Sequence, residues 1–89
     1  MKMNREEILA AVLDSVAETL NMPVTDLTED TLIREDLEAD SMDVVTLMVL
    51  LDDRFDAEFD PEDVPAENVS VRWVVDYIIE KIEPAARAS

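Results

Sequence analysis

Between Arg5 and Leu20 the apolar residues Ile8, Leu9, Val12, Leu13, Val16 and Leu20 recur at the spacing that lines one face of an α-helix. Asn4 is placed as the helix cap, Glu7 can reciprocate, and Met3 and Ile8 can staple the chain around that cap. Pro23 prevents much continuation. From Pro23 to Asp40 the apolar residues Val24, Leu27, Leu32, Ile33 and Leu37 are scattered without a period among Thr, Asp and Glu. This predicts a long loop pinned to the core, and an ordered loop of that length is more often functional than filler. Asp40 then caps a second helix, Ser41 to about Phe55, which contains neither Gly nor Pro and carries Asp43 in its first turn. Pro61 and Pro65 confine a third helix to a short segment around Pro61 to Ala66. Ser70 caps a fourth, which runs to about Ile82 with Val71, Val74, Val75, Ile78 and Ile82 facing inward. No alternating segment bounded by hairpin turns occurs, so the fold class is all-α: a four-helix bundle with a long loop between helices one and two and a short third helix.

The second helix carries more apolar surface than one core face needs. From Val44 to Leu51 only Thr46 is polar. At about 100° per residue, Val44, Leu47, Met48, Leu51 and Phe55 share one sector, while Met42, Val45 and Val49 gather in a second sector beside Ser41. The first sector is core. The second either meets a partner protein or is covered by the long loop and the other helices, and the pattern alone leaves both open.

Composition narrows the chemistry. The chain of 89 residues has room for one domain, expected over residues 1–83, with a disordered small-residue tail over 84–89. Cysteine and histidine are absent, which removes disulfides, thiolate and imidazole metal sites and every Ser-His or Cys-His nucleophile pair. Glycine is absent too, excluding the Gly-rich phosphate cradles of nucleotide-binding folds. No apolar run is long enough to span a membrane, and the start lacks a leader's apolar stretch, so a cytoplasmic protein is expected. The formal charge is −16, and sixteen acids against Arg34 and Arg54 put −14 of it between Asp26 and Glu67. Such a field repels nucleic acid and anionic membranes and steers a basic protein surface toward the chain; the plain alternative is an acidic coat that confers solubility. A calcium-loop reading of the acids from Asp52 fails, because Ala57 and Asp63 stand where the motif needs Gly and Glu.

The segment Leu37-Glu38-Ala39-Asp40-Ser41-Met42 resembles the phosphopantetheine attachment site of acyl carrier proteins, whose core is Asp-Ser-Leu, usually preceded by Gly-Ala. The hydrophobic helix after Ser41, the Phe55-Asp56 ending with an acidic Pro-containing stretch behind it, and Asp76-Tyr77-Ile78 extend the resemblance over roughly residues 5 to 82. Met42 replaces Leu conservatively. Glu38 stands where the family usually has glycine, which costs about 1 kcal/mol if that backbone needs positive φ. Thr46 and Arg54 occupy positions where many members are acidic, which points to a particular partner set.

The resemblance implies an acyl-carrier-like bundle that is a carrier and not an enzyme, with no catalytic residues and no metal of its own. A phosphopantetheinyl transferase would attach 4′-phosphopantetheine from coenzyme A to Ser41. Acyl groups would then travel as thioesters in a fatty acid, polyketide or specialised pathway, with the acyl chain lodged near Leu47, Leu51, Phe59 and Val64. Partner recognition falls to Asp40, Met42, Asp43, Val45, Val49 and Asp53, offered to acyl-transferring and chain-elongating enzymes with basic docking surfaces. A monomer is expected. The competing reading is an unmodified acidic interaction module with the same fold; a hydrolase built on paired carboxylates is a remote third, for want of a concave site.

Overall fold

A computed structural model describes residues 4–82. Within them lie three α-helices: α1 (Arg5–Leu20), α2 (Ser41–Phe55) and α3 (Val71–Ile82). Single 3₁₀ turns at Val24–Asp26 and Pro61–Asp63 interrupt the two connections. Met3 and the tail 84–89 lie outside the described residues.

Each helix starts where a polar side chain can take the orphan amides of its first turn. The Glu7 amide donates to Asn4 Oδ1 (2.8 Å) and the Asn4 amide to Glu7 Oε1 (3.2 Å). Asp40 and Asp43 build the same reciprocal box at the head of α2, at 2.9 and 3.2 Å. At α3 the Trp73 amide donates to Ser70 Oγ (3.0 Å). α1 packs against both α2 and α3, whereas the α2 and α3 backbones make no close approach to each other. Ile8, Val12 and Val16 of α1, Met48 and Leu51 of α2, and Val74, Val75 and Ile78 of α3 are all but completely buried. The separation of α2 from α3 is filled by side chains, Leu47, Met48, Val64, Val69 and Val74 among them. Leu20, Phe55 and Ile82, expected inward, are half-buried at the edge of this core.

The long connection between α1 and α2 is ordered by backbone pairing that no local pattern announces. Leu32 forms an antiparallel bridge with Ser70. The Ile33 amide donates to the Val69 carbonyl (2.8 Å), Val71 to Thr31 (3.1 Å) and Arg72 to Glu29 (2.9 Å). Glu29 also pairs with Arg5 and Arg72, and the Arg5 guanidinium, acting against partial burial, holds its carboxyl below the usual range.

The expected short third helix is instead the one turn Pro61–Asp63, so the α-helices number three among the described residues. Pro65 supplies the reason. The residue before a proline is pushed out of the helical region, and Val64 sits at φ −80°, ψ 122°. The donors around that turn find other partners: the Phe59 amide donates to Asp52 Oδ1 (2.7 Å) and the Asp60 amide to the Tyr77 hydroxyl (3.0 Å). Tyr77 in turn donates to Asp63 Oδ2 (2.9 Å) and stacks on Trp73 with ring centroids 5.2 Å apart.

Tyr77→Phe should therefore cost about 1–2 kcal/mol by leaving the Asp60 amide without its acceptor and Asp63 with Lys81 alone. Burial first, and then Asp63, push the phenol above its ordinary 10.0, although the Asp60 amide opposes the shift. The folded state thus holds this proton more tightly. The resulting stability is whole below the ordinary value and is lost as pH rises through the raised one. Denaturant titrations from neutral to alkaline pH should show the gap between wild type and Tyr77→Phe narrowing past pH 10.0. A gap that widens there contradicts the assignment.

In a chain without glycine, positive φ falls on Asn21 (54°), Asp56 (49°), Asn68 (62°) and Glu38 (57°). Asn and Asp tolerate this region through local hydrogen bonding; Glu does not. Glu38→Gly is expected to raise stability by about 1 kcal/mol, measured by denaturant melting, and no gain would show that the turn is unstrained.

Candidate functional site

Ser41 is the first residue of α2, placed by the Asp40–Asp43 box. It is exposed, and its hydroxyl makes no hydrogen bond to the described residues. By contrast Ser15 is fully buried and donates to the Ala11 carbonyl (2.8 Å), while Ser70 Oγ is occupied by the Trp73 amide. The Ser41 hydroxyl is thus exposed and uncommitted among the described residues. The chain has no imidazole and no thiol, and the carboxylates beside Ser41, Asp40 and Asp43, are engaged with the amides of the helix start.

Ser41 borders an open groove of ≈ 320 Å³, with Val44 and Val45 on one side and Pro61, Glu62, Val64 and Pro65 on the other. Behind this groove lies an apolar cavity of ≈ 10 Å³ between α2 and α3, lined by Ile33, Val44, Leu47, Met48, Val64, Val69 and Val74. Arg34, Val44 and Val64 border both spaces and form the neck between them. The cavity has room for about one water, so a longer apolar guest requires α2 and α3 to part. That the two helices are joined by side chains alone makes such parting cheap in backbone terms. Of the residues expected around an acyl chain, Leu47 and Val64 line the cavity. Leu51 and Phe59 are buried elsewhere in the core and border neither space. Ile33, Val69 and Val74 come from the connections and α3; the sequence marked Ile33 as a pin of the long loop and Val74 as an inward residue of the last helix, and Val69 not at all.

The second apolar sector of α2 is open to solvent. Met42 is 73% exposed, Val45 42% and Val49 58%, in line along the helix from Ser41. Asp40 and Asp53 flank it, both exposed, while Asp43 is half-buried, its carboxylate turned back to the Asp40 amide. Beyond Val49 the stripe meets an open depression of ≈ 460 Å³ edged by Asp52, Asp53, Asp56 and Glu58. Arg54 is not part of this face. It reaches across to α1, pairing with Asp14 (3.2 Å) and Glu18 (3.3 Å), so its charge is spent on holding two helices together.

An exposed serine thus stands at a helix mouth, above a mainly apolar groove and at the head of an apolar strip edged by acids. A family model described as "Phosphopantetheine attachment site" matches residues 10–78. The acyl carrier protein of Rubrobacter xylanophilus is 37% identical over 78 residues, 88% of this chain and 95% of that protein. That of Exiguobacterium sp. is 38% identical over 81 residues, 90% of this chain and 100% of its own. That of Exiguobacterium sibiricum is 40% identical over 77 residues, covering 85% and 95%. This chain belongs to the acyl carrier protein family, whose members carry 4′-phosphopantetheine and are carriers, not enzymes.

Proposed function

We propose that Ser41 is the attachment point of 4′-phosphopantetheine and that the chain carries acyl groups in a cytoplasmic fatty acid, polyketide or specialised acyl pathway. The observation that carries this reading is the Ser41 hydroxyl itself: exposed, free of internal hydrogen bonds and fixed at the first position of a capped helix. In the modification, Ser41 Oγ attacks the phosphorus of coenzyme A nearest the pantetheine. The Oγ–P bond forms, the pyrophosphate P–O bond breaks to release the adenosine bisphosphate, and the serine proton passes to a base on a phosphopantetheinyl transferase, which also supplies the Mg²⁺. Once attached, the arm ends in a thiol that holds acyl groups as thioesters.

The places of this chain's residues support a role for each. Val44 and Val64 give the groove an apolar neck into the gap between α2 and α3, with Leu47 at its inner wall. Met42, Val45 and Val49, edged by Asp40, Asp43 and Asp53, offer acyl-transferring and chain-elongating enzymes an apolar strip inside an acidic frame. A basic surface on those partners complements the frame, and desolvation of the strip supplies affinity.

The test is intact mass of the protein from its native host, and of apo protein after incubation with coenzyme A, Mg²⁺ and a broad-specificity transferase. One added arm per chain is expected. An unmodified mass in both cases would sink the proposal and leave the acidic interaction module as the reading of the fold.

A further inference from the structure

Arg34 is the odd cation in this molecule. Arg5 pairs with Glu29 and Asp76, Arg54 with Asp14 and Glu18, Arg72 with Glu29 and Asp30, and Lys81 with Asp63. Arg34 alone among the described basic residues has no acidic partner, although the surrounding segment is strongly acidic. Its sequence neighbours are spent on backbone donors: Glu35 accepts from the Asn68 amide (2.9 Å) and Asp36 from the Leu32 amide (2.9 Å). The position of Arg34 is equally specific. Arg34 borders both the apolar cavity between α2 and α3 and the groove that Ser41 borders, a place where an arginine can lay its methylene stem along apolar surface and keep its charge toward water. The other charged residue of that groove is Glu62, and it forms no ion pair with Arg34.

We infer that Arg34 is the positioning residue for the phosphodiester of the Ser41-linked arm: its guanidinium pairs with the phosphodiester oxygens and lays the start of the arm along the groove toward the neck between α2 and α3. This rests on the reading of Ser41 as the attachment point. The chemistry is matched. A phosphodiester on Ser41 Oγ places a new negative charge at the rim of a groove that Arg34, without an acidic partner, also borders, and a planar fork of donors binds such oxygens in a charge-assisted, bidentate manner. In a chain of net charge −16, that charge otherwise lies in a repulsive field. Arg34 also borders the neck, so the contact that fixes the phosphodiester orients the arm at the point where an acyl chain would turn inward.

The experiment compares apo and arm-bearing protein by NMR, with loading verified by intact mass. In the wild type, loading should shift the Arg34 Nε–H signal and leave that of Arg54, held by Asp14 and Glu18, in place. The ³¹P resonance of the loaded protein should shift in Arg34→Gln, be partly restored in Arg34→Lys, which keeps the charge and the stem but not the fork, and remain at its wild-type position in Arg54→Gln. Added salt should move the wild-type ³¹P signal toward that of Arg34→Gln. If the arm is present by mass but the Arg34 Nε–H and ³¹P signals do not move, Arg34 has no part in holding it and the Ser41 reading stands. If no arm is taken up at all, both fall together. The Nε–H comparison uses the wild type alone, so a poorly folded Arg34 variant does not blunt the test.

Discussion

Leu51→Ala is expected to lower stability by about 2–5 kcal/mol, and Val49→Ala, two residues away on the same helix, by less than about 1 kcal/mol. Leu51 is fully buried in the core, and truncation there leaves a cavity that core residues such as Met48, itself 1% exposed, cannot collapse to fill. Val49 is 58% exposed and has little packing to lose. Function should invert the order. Val49→Ala removes apolar area from the strip a partner would desolvate, so its handling by acyl-transferring enzymes should weaken while its unfolding midpoint barely moves. Phe55→Ala belongs between the two, since the ring lies half-buried at 6.4 Å from Phe59 in an edge contact and not in the deep core. Chemical denaturation of the three variants, paired with a transfer assay, checks the ranking. If Val49→Ala unfolds the protein as Leu51→Ala does, the strip is core and not a docking face.

The ends of the helices were legible because their causes are local. Asn4 with Glu7, Asp40 before Ser41, and Ser70 before Val71 are caps that sit within a few residues of the amides they satisfy. The division of α2 into a buried and an open face was legible for the same reason, since a helix apolar nearly all round must expose part of what it carries. The reach of Asp43 back to the Asp40 amide followed from the same spacing, although only its charge near the helix start had marked it. The third segment misled because two prolines also permit a short helix, and it is the Val64–Pro65 step, together with the distant donor and acceptor of Tyr77, that limits it to one turn. The bridge between Leu32 and Ser70 joins positions far apart in the chain and leaves no mark in a local pattern. The role of Arg54 was hidden similarly, because its partners Asp14 and Glu18 come alongside only when α1 and α2 pack. Glu38 was readable through the family's usual glycine, and its φ of 57° shows the backbone keeping the turn without the residue that makes it easy.

Ser41→Ala is expected to abolish attachment of the arm completely while leaving the fold intact. The two halves have separate causes. Loss of attachment follows because the transferase needs an accessible hydroxyl, and the other described serines are engaged: Ser15 is buried against the Ala11 carbonyl, and Ser70 caps α3. Ser89 lies outside the described residues and follows no aspartate at a helix start. Preservation of the fold follows because the Ser41 hydroxyl holds nothing in place; the α2 start is fixed by Asp40 and Asp43, and alanine is a good residue in a first helical turn. Asp40→Ala should behave differently, costing about 1 kcal/mol through loss of the cap and slowing attachment without preventing it. Glu38→Gly should quicken attachment if the turn before Ser41 is what a general transferase reads. Intact mass after incubation with coenzyme A, Mg²⁺ and transferase, run beside a melting curve for each variant, separates these outcomes. An arm that still appears on Ser41→Ala places the attachment on another residue, and a Ser41→Ala protein that fails to fold shows the hydroxyl to be structural.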